Sequence, residues 1–181
     1  MEKIDFTKDY YKGLAGIYLN RILDRIIEVG NLKREKGLIL DYGCSQGKLK
    51  QKLKKYGANV VGYDIISTLS DVRDYRTLKP SKIVCGAVFE YMDKKELESL
   101  LKDFLRMNPH AELIVSFPTK NLISKAAAFL RNTDHHYGHK INCKEANKII
   151  QKYYTVVRRS YVFTLSQVTK YKPNKNLLSN S

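Results

Sequence analysis

Cysteine is scarce in this chain. The three present, Cys44, Cys85 and Cys143, lie far apart with no C-x-x-C pair, which argues against a disulfide framework and a cysteine zinc site. Cys44 and Cys85 fall in apolar, strand-like contexts and read as buried free thiols. No H-E-x-x-H pattern occurs. His135, His136 and His139 crowd one turn, but only Asp134 stands nearby as a further ligand, so no metal site is expected. A run of about 18 apolar residues is absent, which excludes a sequence-evident transmembrane segment. The opening Met1-Glu-Lys-Ile-Asp5 has no secretory hydrophobic stretch, and a cytoplasmic protein is expected. Acids are few as well, 18 against 33 Lys and Arg, for a net charge of +15. Such an excess attracts polyanions such as RNA, DNA, anionic lipid or a phosphorylated substrate, and it equally suits a solubilising surface.

What is present suits a globular protein. At 181 residues with 43% hydrophobic content, the chain has material for one full core, and wholesale disorder is excluded. Apolar residues at Leu14, Ile17, Tyr18, Ile22, Ile26 and Val29 recur at helical spacing and end at Gly30-Asn31. A strand is predicted over 37–42, a helix over 48–56 closed by Gly57, and a strand over 59–64. The lysine-rich run 48–55 keeps Leu49 and Leu53 on one side, the pattern of a solvated helix face. A short strand is expected near Leu69–Val72, and a longer one over 82–88. Asp93 and Glu96 form a capping box for a helix carrying Leu97, Leu100, Leu101, Phe104 and Leu105, which Asn108-Pro109 ends. A strand over 112–117, a helix over 143–153 and strands over 155–165 and 168–171 follow.

The alternation predicts an α/β protein: a Rossmann-like open sheet, mostly parallel with a C-terminal antiparallel strand, and helices on both faces. A single domain is expected over 1–171, with a helical segment at 1–30, a lid-like insertion at 119–142 and a flexible tail at 172–181. The apolar run 122–130 with Lys120, Lys125 and Arg131 gives that insertion an amphipathic character, and packing against the rim is its expected role. Ligands of such sheets bind beyond the carboxyl ends of the strands. Asp41–Gly47, Asp64, Gly86–Glu90 and Phe117–Thr119 all fall there.

The densest signal is Leu38-Ile-Leu-Asp-Tyr-Gly-Cys-Ser-Gln-Gly47: an apolar strand ending in an acid, a turn with glycine at both ends, then a helix start. That arrangement suits an adenosine-containing ligand, because glycine admits close backbone approach and a helix start presents free amides. Val60-Val-Gly-Tyr-Asp64 ends a second strand in an acid placed to grip vicinal ribose hydroxyls. A dinucleotide site would need G-x-G-x-x-G, which is absent. Asp41 before the turn also suits a ligand bearing an ammonium group better than a pyrophosphate.

With these residues the chain resembles the class I S-adenosylmethionine-dependent methyltransferases over residues 38–165. Leu40-Asp-Tyr-Gly-Cys-Ser-Gln-Gly47 is similar to the family's D-x-G-C-G-x-G loop. Gly62-Tyr-Asp64, Ile83-Val-Cys-Gly-Ala-Val-Phe-Glu-Tyr91 and Glu112-Leu-Ile-Val-Ser-Phe-Pro118 follow in the family's order. The resemblance implies S-adenosylmethionine as cofactor. Asp41 and the loop Gly43, Cys44, Ser45 and Gly47 would surround its methionine portion. Asp64, followed by Ile65, would hold the ribose, and Asp71 and Val72 would flank the adenine, with Asp74 competing for that place. Gly86 and Ala87 would line the cofactor with backbone. Three departures stand out. Ser45 replaces a loop glycine, the segment between Asp64 and Lys82 is short, and Ser81-Lys82 stands where an acid is common.

Methyl transfer from a sulfonium depends mainly on positioning, and a base is needed only for a weakly acidic hydroxyl or a protonated amine. Candidates on the acceptor side are His136, Glu90 and Tyr91, together with His135, His139 and Tyr137. The expected activity is methylation of a small-molecule, lipid- or sugar-linked acceptor. RNA methylation is the rival the charge suggests, and a non-catalytic cofactor-binding or partner protein is a third reading.

Overall fold

The computed structural model describes residues 13–119 and 139–174. Six strands form one sheet in the order β2-β1-β3-β4-β6-β5. They are β1 (Ile39–Tyr42), β2 (Val60–Tyr63), β3 (Lys82–Gly86), β4 (Glu112–Pro118), β5 (Tyr154–Val162) and β6 (Ser166–Pro173). The pairings β1 with β2, β1 with β3 and β3 with β4 are parallel. β6 is antiparallel to both β4 and β5, so it alone runs against the others. This is the expected mostly parallel sheet with a C-terminal antiparallel strand.

Helices cover both faces. α1 (Gly13–Gly30) and α2 (Lys48–Lys54) pack Ile26, Ile27, Val29, Leu49 and Leu53 on Ile39, Val84 and Ile114. α3 (Lys94–Met107) and α4 (Cys143–Tyr153) pack Leu97, Leu101, Phe104, Ile149 and Ile150 on Leu40, Ile83, Leu113 and Val115. Alternate residues of each central strand thus enter opposite cores, which is why those strands are apolar throughout. The Asp93–Glu96 capping box forms as expected, and Asn142 with Glu145 makes a second one at α4. No described helix is long and apolar enough to cross a membrane.

Two expectations need correction. The short strand predicted near Leu69–Val72 is absent: a 3-10 turn spans Ser67–Leu69, and the following segment bends back. Asp71 takes over the edge of β2, its N–H donating to the Gly62 carbonyl and its carboxylate accepting from the Gly62 N–H at 2.7 Å. With that edge closed by one residue, no ladder extends. The tail also begins later than predicted. Lys172 and Pro173 pair with Thr155 and Tyr154, and the Asn174 side chain donates to the carbonyls of Gln151 and Lys152 at the end of α4. Of the lid-like insertion, residues 120–138 lie outside the described residues. Lys140 beyond them donates its N–H to the Glu90 carbonyl at 2.7 Å.

The unexpected Lys82 at the start of β3 is buried. Its Nζ donates to the Gly30 carbonyl at 2.7 Å and to Glu112 at 2.8 Å, and lies 3.4 Å from Glu35. It fastens the end of α1 to the sheet. Burial pushes the Glu35 and Glu112 carboxyls up. Hydrogen bonds from Gly37 and Ser81 to Glu35, and from Lys170 and Lys82 to Glu112, outweigh burial and leave both below their ordinary range. Depressed carboxylates stabilise the fold above their unfolded value and lose that contribution as pH falls. Replacement Lys82→Ala, which strands these partners, is expected to cost about 3 kcal/mol in urea unfolding at pH 7. The wild-type protein loses stability as pH drops below 4.5, the ordinary value for these acids, and the variant loses less over that interval.

Candidate functional site

The carboxyl ends of β1, β2 and β3 open into a cavity of about 760 Å3, within the range of small-molecule sites. Its wall includes Gly43, Asp64, Ile65, Ala87 and Tyr91 from the sequence-predicted set. Asp41, Cys44, Ser45, Gly47, Asp71, Val72, Gly86 and Glu90 are not on the wall. His136, with His135 and Tyr137, lies outside the described residues.

The loop after β1 is built for close approach. Gly43 has φ +78°, and a Cβ there would lie 2.3 Å from Val88 Cγ2. The N–H groups of Gly43 and Cys44 both donate to the Tyr63 carbonyl, stitching the loop to the end of β2. A Cβ on Gly62 would meet Cys44 Sγ at 2.7 Å, so the thiol packs directly against bare backbone. Burial, followed by the charges of Asp41, Asp64 and Asp71, pushes that thiol up to about 12. It stays protonated and donates to the Leu69 carbonyl at 3.3 Å, which makes it a packing group and not a nucleophile. Gly47, at φ +65°, ends the turn and begins α2.

Ser45 adopts φ +47°, the left-handed region that a glycine would occupy without strain. This geometry aims its N–H at Asp64 Oδ2, 2.9 Å away, while Asp64 Oδ1 accepts from the Ile66 N–H at 3.0 Å. Each oxygen of Asp64 is thereby fixed and keeps acceptor capacity for a ligand. Asp71 is turned from the cavity, its carboxylate held by Lys50 Nζ at 2.8 and 2.9 Å as well as by Gly62. Asp74 caps a 3-10 turn and chelates Arg76.

Asp41 is the anomaly. It is 6% exposed, and its carboxylate accepts no hydrogen bond from the described residues. Burial, then repulsion from Asp64 and Asp71, raises its pKa to about 7. A buried carboxylate without a partner is costly, and a cationic group placed nearby would relieve that cost. Glu90 is comparable. Burial raises it to about 7, and its Oε2 has no hydrogen-bond partner. Beside it, the half-exposed Tyr91 ring meets the His139 ring edge to face at 5.0 Å.

Sequence reasoning missed the aromatic floor. Tyr42 and Tyr63 pair across β1 and β2, with centroids 5.2 Å apart. Tyr75 joins them at 5.1 and 4.8 Å, and its hydroxyl donates to Asp103 of α3 at 3.2 Å. Leu100, Met92 and Val88 complete an apolar side. A signal was available, since a tyrosine adjoins each strand-ending acid, in Asp41-Tyr42 and Tyr63-Asp64. Among the described residues, no group of three or more His, Cys, Asp or Glu is placed to hold a metal ion.

The sequence matches no protein-family model and no curated protein. Solved structures do match. A Pyrococcus horikoshii OT3 protein aligns over 94% of this chain and 97% of its own, with TM-score 0.66 and 19% identity. A SAM-dependent methyltransferase from Archaeoglobus fulgidus gives TM-score 0.61 at 12% identity, over 84% of this chain and 93% of that one. The fold is that of the class I methyltransferases. The 1,6-didemethyltoxoflavin-N1-methyltransferase of Burkholderia thailandensis, solved with its substrate and S-adenosylhomocysteine, also has it. That enzyme gives TM-score 0.62 at 11% identity, over 87% of this chain and 79% of its own.

Two outcomes follow for this methyltransferase-fold site. Because native Asp41 holds a proton that the unfolded chain releases, its burial increasingly opposes folding as pH rises from 3.8 to about 7. Asp41→Asn is therefore expected to raise the melting temperature of the ligand-free protein at pH 8 and to change it less at pH 5. Ser45→Gly removes left-handed strain and is expected to stabilise by about 0.5–1 kcal/mol in urea unfolding; a loss of stability would contradict the strain.

Proposed function

We propose that the protein transfers a methyl group from S-adenosylmethionine to a small-molecule acceptor, including lipid- or sugar-linked metabolites. The observation that carries this reading is the pairing of two acids at the carboxyl ends of β1 and β2. Asp64 stands on the cavity wall with both oxygens oriented by backbone amides, and Asp41 is buried behind the loop without a partner. These residues fit the cofactor. A carboxylate with free acceptor capacity suits vicinal ribose hydroxyls, and an unpartnered buried carboxylate suits a cationic amino-acid portion. The bare Gly43 turn admits backbone approach, and Ile65, Val88 and the tyrosine floor offer faces for an adenine ring.

When bound, the cofactor would supply an electrophilic methyl on a positively charged sulfur, a leaving group that needs no protonation. The chain's contribution is to orient the two reactants and to receive any proton the acceptor loses. Glu90, buried and raised to about 7, is matched to accepting a proton near neutrality, and Tyr91 beside it lines the cavity. His136 is proposed as a further base. Asp71 and Val72 lie off the wall, which leaves Asp103, held by Tyr75, as the acid facing the aromatic end of the cavity.

The test is calorimetric titration with S-adenosylhomocysteine. Saturable binding is expected, weakened at least about tenfold by Asp64→Ala through loss of two hydrogen bonds to a charged group. Affinity should also rise with pH through about 7 as Asp41 ionises, and Asp41→Asn should flatten that rise. No binding by the wild-type protein would overturn the enzyme reading and leave a non-catalytic partner role. The charge of +15 supports RNA as the rival acceptor. That rival requires methylation of the RNA, because a protein this basic binds RNA regardless of sequence.

A further inference from the structure

A second cavity, of about 630 Å3, runs between α4 and the β5–β6 hairpin and reaches Thr119 at the carboxyl end of β4. What marks it is that its cations have no acid beside them on the cavity lining. Just before α4 and near its end, Lys140 and Lys152 are held by Glu96 and Glu98, while Arg158 and Lys170, on the opposite face of the sheet, are held by Glu28 and Glu112. Lys144, Lys148 and Arg159 line the cavity and make no ion pair with any described residue. The single acid of α4, Glu145, is turned to the Asn142 N–H and to Lys94. Arg159 of β5 lines the cavity opposite Cys143, Asn147 and Gln151 of α4.

The floor is polar and neutral. Asn147 and Gln167 are buried amides locked in place by neighbours. Asn147 accepts from the Tyr171 hydroxyl and donates to the Cys143 carbonyl, and Gln167 accepts from Tyr161 and donates to Thr169. Their hydrogen bonds are made within the protein, so the surface they present is fixed before a ligand arrives. No acid lines the groove among the described residues. Three unpaired cations over a fixed amide floor form a site for an anion.

The location gives that site a purpose. The groove reaches Thr119 at the carboxyl end of β4, the end of the sheet at which the donor cavity opens. The Phe89–Tyr91 turn contributes Tyr91 to that cavity, while its Glu90 carbonyl accepts from Lys140 and Ile141 just before α4. The donor cavity carries Asp64, Glu96 and Asp103 against one cation, Lys95, an excess of acid that disfavours anions, so an anionic reactant is directed to the groove. We propose that the groove binds the phosphate- or carboxylate-bearing end of a small anionic methyl acceptor, between Lys144, Lys148 and Arg159. This proposal rests on the methyltransferase reading of the donor cavity.

The probes are pyrophosphate and citrate, titrated calorimetrically into the full chain at constant ionic strength. Saturable binding is expected for at least one, and the tighter of the two assigns the phosphate or the carboxylate end. Arg159→Ala and, separately, Lys148→Gln should each weaken it about tenfold, the worth of one charged contact. Lys33→Ala/Lys55→Ala, which removes two charges from the far side of the molecule beside Tyr56, should leave it unchanged. Absence of saturable binding, or equal weakening by that distant pair, overturns the proposal. S-adenosylhomocysteine is titrated into the same preparations. If it fails to bind while pyrophosphate or citrate still binds, the donor reading falls and the anion site stands; the converse removes only the anion site.

Discussion

Three carboxylates, Asp41, Asp64 and Asp71, meet at the carboxyl ends of two adjacent strands, and the local structure is arranged around their mutual repulsion. Asp71 is paired with Lys50 and accepts from the Gly62 amide. Asp64 is held by two backbone amides that fix it without cancelling its charge. Asp41 receives nothing and is driven toward protonation. The solution has structural costs. Ser45 must enter the left-handed region to offer its N–H, and Gly62 must stay bare for Cys44 and Asp71 to close in. A buried unpaired acid beside an oriented one is poorly suited to stability alone and well suited to a ligand that is cationic at one end and bears hydroxyls at the other.

The same edge explains why sequence and structure agree where they do. β1, β3 and β4 were legible because strands buried on both faces read as unbroken apolar runs, and α3 because its cap and its apolar stripe point to the same start. The strand expected near Leu69–Val72 was drawn from an apolar pattern too short to exclude a turn. What decided against it was the Asp71 bridge to Gly62, a contact of side chain with backbone that no periodicity encodes. Similarly, the end of β6 depended on Asn174 reaching across to α4.

The candidate site divides along the same line. Gly43, Asp64, Ile65 and Ala87 were found because they belong to local segments where a strand ends and a turn begins. Tyr75, Leu100 and Asp103 could not be, since they reach the cavity from a separate turn and from α3, and only packing brings them beside Tyr42 and Tyr63. The shortened stretch after Asp64 has a consequence here. Its acids are occupied by Lys50 and Arg76, and it contributes an aromatic ring to the cavity in place of a carboxylate.

A net charge of +15 on its own disfavours a cationic cofactor. Distance resolves the conflict. Charges on the exposed surface are screened over about 8–10 Å at physiological salt, whereas buried and half-buried groups are screened much less. Lys50, Lys52, Lys82 and Lys170 are each paired with an acid, and the donor cavity is lined by Asp64, Glu96 and Asp103 against Lys95 alone. The groove beside α4 is lined by Lys144, Lys148 and Arg159. The rim is thus negative where a sulfonium donor would sit and positive where an anionic acceptor would. On the proposed activity, this division would orient two oppositely charged reactants toward each other using groups that the overall charge does not reveal.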